Sequence, residues 1–467
     1  MGPATVAVAQ PTKNGQRMSL RFGTDGVRGV AGAELNPELA LALGRATVRV
    51  LGPTGGVALG RDTRWSGPML AAAFTAGAAA EGASVLDLGV VPTPAVAWAS
   101  GTLGVPGAVI SASHNPFADN GIKLFAAGGR KLTDAVEAAV EAHLGAPLDP
   151  ATAAVGTAIG GAGAPDHAAA LVERWQASVV AALDGRRLDG LRVVLDCANG
   201  AAAAVGPAVF EALGAEVVAR LGVEPDGTNI NAGCGATDTA SLRRAVLDHG
   251  AAVGIALDGD ADRCIAVDAT GAVVDGDQLI AVLAVDRHER GALTGGAVAV
   301  TVMTNLGFHR AMAARGIGVV ETPVGDRAVL DALETHGLAL GGEQSGHVIQ
   351  RDLATTGDGL LTAVSVLDVV VRRRPLAELA TVMVRLPQVL RNVRVGPGAR
   401  RPVDLVAAVA AEVAAAEAEL DGRGRVLLRS SGTEPLVRVM AEADTVALAE
   451  AVVARLTAAV GAAATST

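Results

Sequence analysis

Three times along the chain, an apolar run of strand length leads through a polar or glycine-containing loop into a helical run and then a second apolar run. GVALGRDTR from Gly56 passes through PMLAAAFTAGAAAEG to ASVLDLG; LRVVLDCANG from Leu191 passes through GPAVFEALG to AEVVARLG; AVAVTVMTN from Ala297 passes through LGFHRAMAARG to IGVVETPVG. Each passage spans about 30 residues, the size of a βαβ unit. Their recurrence predicts an α/β protein with three related α/β domains built on mixed sheets. Loops leaving the first strands would face a common central cleft. From about Leu386 the pattern changes: RNVRVGPG, a long Ala/Glu helix, GRVLLRSSGTEPLVRVMAEA and a final helix predict a smaller C-terminal α+β domain with an antiparallel sheet. Asn36-Pro37 marks a helix start, an N-cap residue before a proline in the first turn.

The domains expected are residues 18–165, 166–272, 273–385 and 386–467, after a disordered extension at 1–17, and either Met1 or Met18 can be the true start. Composition narrows the function. A net charge of −10 and 2% aromatic residues, with no tyrosine, exclude the basic surface and stacking rings of a nucleic-acid binder. Three scattered cysteines, at 197, 234 and 264, suit neither a disulfide framework nor a zinc site and indicate a reducing compartment, the cytoplasm. No stretch reaches about 18 uninterrupted apolar residues, so no membrane span is expected, and the first residues lack the apolar core of a signal peptide.

Several short stretches can carry chemistry. LDGDADRC, from Leu257, places Asp258, Asp260 and Asp262 at alternating positions behind an apolar run. Three converging carboxylates repel one another unless a hard cation neutralises them, and all-oxygen ligation suits Mg²⁺ or Ca²⁺. An EF-hand is excluded because Arg263 and Ala269 stand where it needs glycine and glutamate; the bland alternative is an acidic surface turn. Arg263, directly after the acids, is a ready phosphate ligand. In AVISASHNPFADNGIKLF, Ser111 and Ser113 sit at a strand exit, and either hydroxyl could attack or carry phosphorus, or simply cap the following turn. Lys123, ten residues on, could add charge to the same site or be a solvated lysine. RSSGTEPLVR, from Arg429 to Arg438, offers two guanidinium forks, the Ser430, Ser431 and Thr433 hydroxyls and the open backbone of Gly432 to an anion, or is a turn between two strands with exposed arginines. GGEQSGHVI places Glu343, Ser345 and His347 at alternate positions, suited to sugar hydroxyls and a proton shuttle. Arg28, Arg61 and Arg64 read equally as ligands or as salt-bridged scaffold.

Taken together, FGTDGVRG, SASHNP, DGDADR, GGEQSGH and RSSGTEP, in that order over about Leu20 to Gly461, resemble the α-D-phosphohexomutase superfamily and, within it, the bacterial phosphoglucosamine mutases. GRDTRWSG, DNGIK, DCANGA, NINAGCG and TPVGDR add to the likeness. Gln344 and Asp326, where glucose and mannose mutases often carry Met and His, favour the glucosamine branch.

The resemblance implies a phosphoserine at Ser113 and one Mg²⁺ per subunit held by Asp258, Asp260, Asp262 and the phosphate on Ser113. It implies charged and proton-transferring roles for Arg28, Lys123, Arg263 and His347, sugar recognition by Glu343 and Ser345, and a phosphate grip by Arg429, Ser431, Gly432, Thr433 and Arg438. The activity implied interconverts glucosamine 6-phosphate and α-D-glucosamine 1-phosphate through a 1,6-bisphosphate, supplying UDP-N-acetylglucosamine and cell-wall synthesis. Glucosamine or glucose 1,6-bisphosphate would serve as activator, a Ser/Thr kinase could prime Ser113, and the assembly would be a homodimer. The competing readings are a phosphomannomutase/phosphoglucomutase of the same chemistry and a silent sugar-phosphate sensor.

Overall fold

The computed structural model describes residues 22–23, 26–52, 56–146, 164–396, 401–430 and 435–465; the extension expected at 1–17 lies outside them. The three strand–helix–strand passages fold as anticipated. Val57–Arg61, Gly67–Ala80 and Val85–Val90 form the first, Arg192–Asp196, Gly206–Ala212 and Glu216–Leu221 the second, and Ala297–Thr301, Leu306–Ala313 and Gly318–Thr322 the third. In each, the two strands pair in parallel, as a crossover through a helix requires.

Each passage is the kernel of a mixed sheet. In the first sheet Gly107–Ile110 joins in parallel, and Asp119–Ala126 and Val27–Val30 extend the edge antiparallel. In the second, Val253–Leu257 pairs in parallel with Arg192–Asp196 and turns back antiparallel into Cys264–Asp268. In the third, Leu340–Gly342 and Val348–Gln350 form the corresponding hairpin. The fourth sheet, Gln388–Arg394, Leu436–Glu442 and Arg425–Ser430, is antiparallel throughout. The Ala/Glu helix expected there is broken at Val409 into Pro402–Ala408 and Ala410–Leu420.

Local signals hold where the sequence is explicit. Asn36 caps the helix Pro37–Leu51 by accepting a 3.0 Å bond from the Leu39 N–H. One hydrophobic cluster runs without a break through the first three sheets, from Ala58 through Val193 and Val298 to Met383, whereas the fourth sheet packs its own cluster around Leu405, Val439 and Leu456. Among the described residues, only the final helix, Val446–Thr465, is long and apolar enough to cross a membrane, with mean hydropathy 1.6. It carries Glu450 and Arg455 and lays Val452, Val453, Leu456 and Val460 into the fourth core, as an amphipathic surface helix does.

Candidate active site

The loop after Gly107–Ile110 separates two serines that the sequence leaves equivalent. Ser111 Oγ donates to Asp62 Oδ2 at 2.6 Å and accepts the Ser113 N–H at 2.9 Å, which ties it to the scaffold. Ser113 itself adopts a left-handed backbone, φ 53°, a conformation that costs a non-glycine residue energy and clusters at functional sites. Its Oγ points the other way and donates to Asp258 Oδ2 at 2.6 Å, across 145 positions of sequence.

Arg64, with no exposed surface, is the clamp that makes this possible. Its Nε donates to Asp62 at 2.8 Å, and its terminal nitrogens donate to the carbonyls of Ser113 at 2.9 Å, Asn115 at 2.8 Å and Asp119 at 2.9 Å, and to that of Pro116. Asn231 reaches the Ser113 carbonyl from the second sheet, its Nδ2 donating at 2.9 Å. Arg64 is therefore scaffold; Arg61 pairs with Asp87 away from the loop. Of these supports, the sequence offered only Arg64, as a ligand or a salt-bridged scaffold residue, and the second reading holds.

The acidic stretch forms the turn between Val253–Leu257 and Cys264–Asp268. Ala261, at φ 55°, bends it, and one oxygen from each of Asp258, Asp260 and Asp262 lies within 4.8 Å of the others. All three residues are buried. Lys123 is buried as well rather than solvated: it crosses from the first sheet to donate to Asp260 Oδ2 at 2.7 Å and Asp262 Oδ2 at 3.1 Å. Thr93 Oγ1 adds a 2.6 Å bond to Asp260 Oδ2, while Asp260 Oδ1 is buried with no hydrogen-bond partner. Burial, then the Asp262 and Asp260 charges, push the Asp258 carboxyl well above the usual range. Three buried carboxylates against the Lys123 ammonium and, at 3.7 and 3.9 Å, the Arg263 guanidinium still leave an excess negative charge, which fits a hard divalent cation such as Mg²⁺.

A cavity of about 400 Å³ opens in front of this loop and draws its walls from all four units: His114, Arg263, Glu343, Ser345, His347 and Arg438. Burial, then the Arg263 and Arg28 guanidinium groups, lower the His114 imidazole to about 4, so it is neutral near pH 7. Glu343 Oε1 accepts the Gly325 N–H at 3.2 Å, which ties two loops of the third unit together. His347 is 2% exposed, and neither ring nitrogen has a hydrogen-bond partner among the described residues. Its Nε2 lies 3.6 Å from Asp326 Oδ2.

Arg429 and Arg438 stand directly opposite each other in the antiparallel ladder of the fourth sheet. Like charges so placed repel unless an anion lies between them; burial and then Arg438 lower the Arg429 guanidinium from its usual value. Ser431, Gly432 and Thr433 lie outside the described residues.

An exit-loop serine against buried carboxylates, next to a cavity lined by Arg263 and Arg438 in a frame of three α/β units and a smaller fourth, is the architecture of a phosphohexomutase. Family models of phosphoglucomutase/phosphomannomutase match in order: alpha/beta/alpha domain I at residues 19–148, domain II at 174–271, domain III at 275–386 and the C-terminal domain at 390–459. The chain belongs to this family. It is 56% identical to a phosphoglucosamine mutase of Frankia casuarinae, over 94% of this chain and 97% of that one, and 54% identical to that of Moorella thermoacetica, over 91% and 95%. Among solved structures, a phosphoglucomutase/phosphomannomutase family protein of Burkholderia thailandensis shares the fold at TM-score 0.79 and 24% identity, covering 97% of this chain and 99% of that one. The N-acetylphosphoglucosamine mutase of Aspergillus fumigatus, solved with GlcNAc-6P and magnesium, shares it at TM-score 0.65 and 17% identity, covering 96% and 97%.

Proposed function

We propose that the protein interconverts glucosamine 6-phosphate and α-D-glucosamine 1-phosphate, with Ser113 as the phosphoryl carrier. The observation that carries this reading is the 2.6 Å contact between Ser113 Oγ and Asp258 Oδ2 beside a cavity that Arg263 and Arg438 line. The substrate comes from the relatives, named phosphoglucosamine mutase at above half identity over nearly the whole chain.

In the forward direction the phosphoryl on Ser113 passes to O1 of glucosamine 6-phosphate. The O1–P bond forms, the Oγ–P bond breaks, and the O1 proton leaves to a base, for which His347 is the residue at the cavity wall. The resulting 1,6-bisphosphate turns over, and Ser113 Oγ takes the phosphoryl from O6, which regains a proton. Asp258, Asp260 and Asp262, with the phosphate on Ser113, would hold Mg²⁺, which neutralises charge on the transferring group. Arg28, Lys123 and Arg263 add positive charge on the same side, so the cleft attracts an anion although the whole chain carries −10. Glu343 and Ser345 meet sugar hydroxyls. Arg429 and Arg438 hold the phosphate that stays in place, the duty that explains two opposed guanidinium groups.

Ser113→Ala is expected to abolish turnover of glucosamine 6-phosphate, by roughly a thousandfold or more, with an unchanged circular dichroism spectrum. Intact mass before and after phosphatase should show one phosphate on the parent and none on the variant. Undiminished turnover in the variant would reject the assignment. Comparing kcat/KM for the 6-phosphates of glucosamine, glucose and mannose decides between this activity and that of a phosphomannomutase/phosphoglucomutase.

A further inference from the structure

The stretch Thr355–Gly359, which bears no catalytic motif, lies against two parts of the site at once. Gly357 packs flat on the His347 imidazole: a Cβ at this position would fall 2.4 Å from Nε2 and 2.6 Å from both Cδ2 and Cε1. The ring is 2% exposed and lines the cavity, so a methyl group at Gly357 would push it toward the open side. Near its Nε2, at 3.6 Å, stands the Asp326 carboxylate, which is ion-paired in turn with Lys131 from the first unit. Two residues beyond Gly357, the Gly359 N–H donates to the Ala261 carbonyl at 3.0 Å, and a Cβ there would come within 2.4 Å of the Arg263 carbonyl oxygen.

Asp358, between the two glycines, fixes the stretch by capping the helix Gly359–Arg372, its Oδ1 accepting the Leu361 N–H at 2.9 Å. Because neither nitrogen of the imidazole has a hydrogen-bond partner among the described residues, the shape of the slot and the neighbouring charge are what bear on its direction.

We propose that Gly357 and Asp326 are positioning residues for His347: the bare backbone of Gly357 supplies the slot, and the Asp326 carboxylate beside the ring sets which way it faces the cavity. The inference deepens the mutase reading and rests on His347 as its proton carrier. A misplacement of about 1 Å in a reacting group can cost on the order of 100-fold, so a methyl group in this slot should act on the rate rather than on binding.

The test is a double-mutant cycle on the full chain with Mg²⁺ and a 1,6-bisphosphate activator. Gly357→Ala should lower kcat roughly 10- to 100-fold while KM for glucosamine 6-phosphate stays within about threefold, and Gly357→Ala/His347→Gln should turn over no more slowly than His347→Gln alone. A wild-type kcat in Gly357→Ala, or losses that multiply in the pair, would overturn the proposal. If Gly357→Ala does not fold, Asp326→Asn enters the same cycle with the same two outcomes. A second readout needs no activity. The Cε1–H NMR signal of His347, identified by its loss in His347→Gln, should move in Gly357→Ala or Asp326→Asn, and a signal that stays in place counts against positioning. A wild type inactive on every hexose phosphate would remove the mutase reading and leave this second readout to judge the geometry.

Discussion

The Ser113 loop and the Arg429–Arg438 pair are built in opposite ways. Ser113 and the three aspartates lie where the first two units meet, in a body where one hydrophobic cluster runs through three sheets beside three smaller ones. Arg429 and Arg438 ride on a fourth unit with a separate core, and hydrogen bonds cross from it to the body, among them Gln388 Nε2 to the Met303 carbonyl at 3.4 Å. Glu442, fully buried, accepts from the Leu306 N–H at 2.8 Å, from Arg425 Nε at 2.9 Å and from Gln388 Nε2 at 2.7 Å. Asn305 bonds both ways to the Leu386 backbone, at 2.9 and 3.0 Å, and its own N–H is held by Asp277 at 2.8 Å. The Ser113 loop is locked by the buried Arg64 guanidinium. The arginine pair, which on the proposed function would hold the phosphate not being transferred, sits on a unit with its own core and is tied to the body by hydrogen bonds.

The contrast can be broken most forcefully at Arg64. Arg64→Met leaves the Asp62 carboxylate buried without its counter-charge and strips several loop carbonyls of their donor, at a cost of about 3–5 kcal/mol. Thermal unfolding should show the loss, with faster amide exchange across residues 111–121; a variant as stable as the parent would mean that the loop does not depend on this clamp.

Arg429→Ala should instead leave the melting temperature within a few degrees while lowering kcat/KM by about 10- to 100-fold, the worth of one charge-assisted contact. Removing one of two opposed like charges should itself ease repulsion in the ladder. Steady-state kinetics and a melting curve on one preparation check both halves, and a melting temperature that falls as far as for Arg64→Met would erase the distinction.

The smallest effect is expected at Asp277, on the joint itself. Burial, then the Asp275 charge, raise its carboxyl from an ordinary 3.8 to about 7. The folded chain therefore holds a proton that the unfolded chain has released between those values, and this group's contribution to stability falls as pH rises from about 4 to 7, then levels off. Asp277→Asn should remove that slope, so the gap in melting temperature between pH 5 and pH 8 differs from the parent's by a few degrees. An identical gap would show that Asp277 is not titrating at the joint.

Much of this was legible in the residues because it is local. The βαβ passages follow from apolar runs and intervening helical stretches, and the helix at Pro37 from its Asn36 cap. The aspartates at alternating positions already implied a cation. The partners of those residues were not legible. Lys123 could have been solvated, yet it crosses 137 positions to reach Asp260; Thr93 crosses 167 to the same carboxylate. Nothing near Ser111 or Ser113 says which of them faces the acids, since that depends on Asp62 on one side and Asp258 on the other. Gly357 gives no local sign that its missing side chain makes room for an imidazole.

By itself the sequence determined the succession of strands and helices, the turn residues and the chemical kinds present, because each arises between neighbours within a few positions of the chain. The tertiary structure alone decided which serine meets the carboxylates, which arginine is buried as a clamp and which two arginines stand opposite each other in the fourth sheet. Those outcomes depend on charge and burial, and neither is defined until remote segments exclude water from one another.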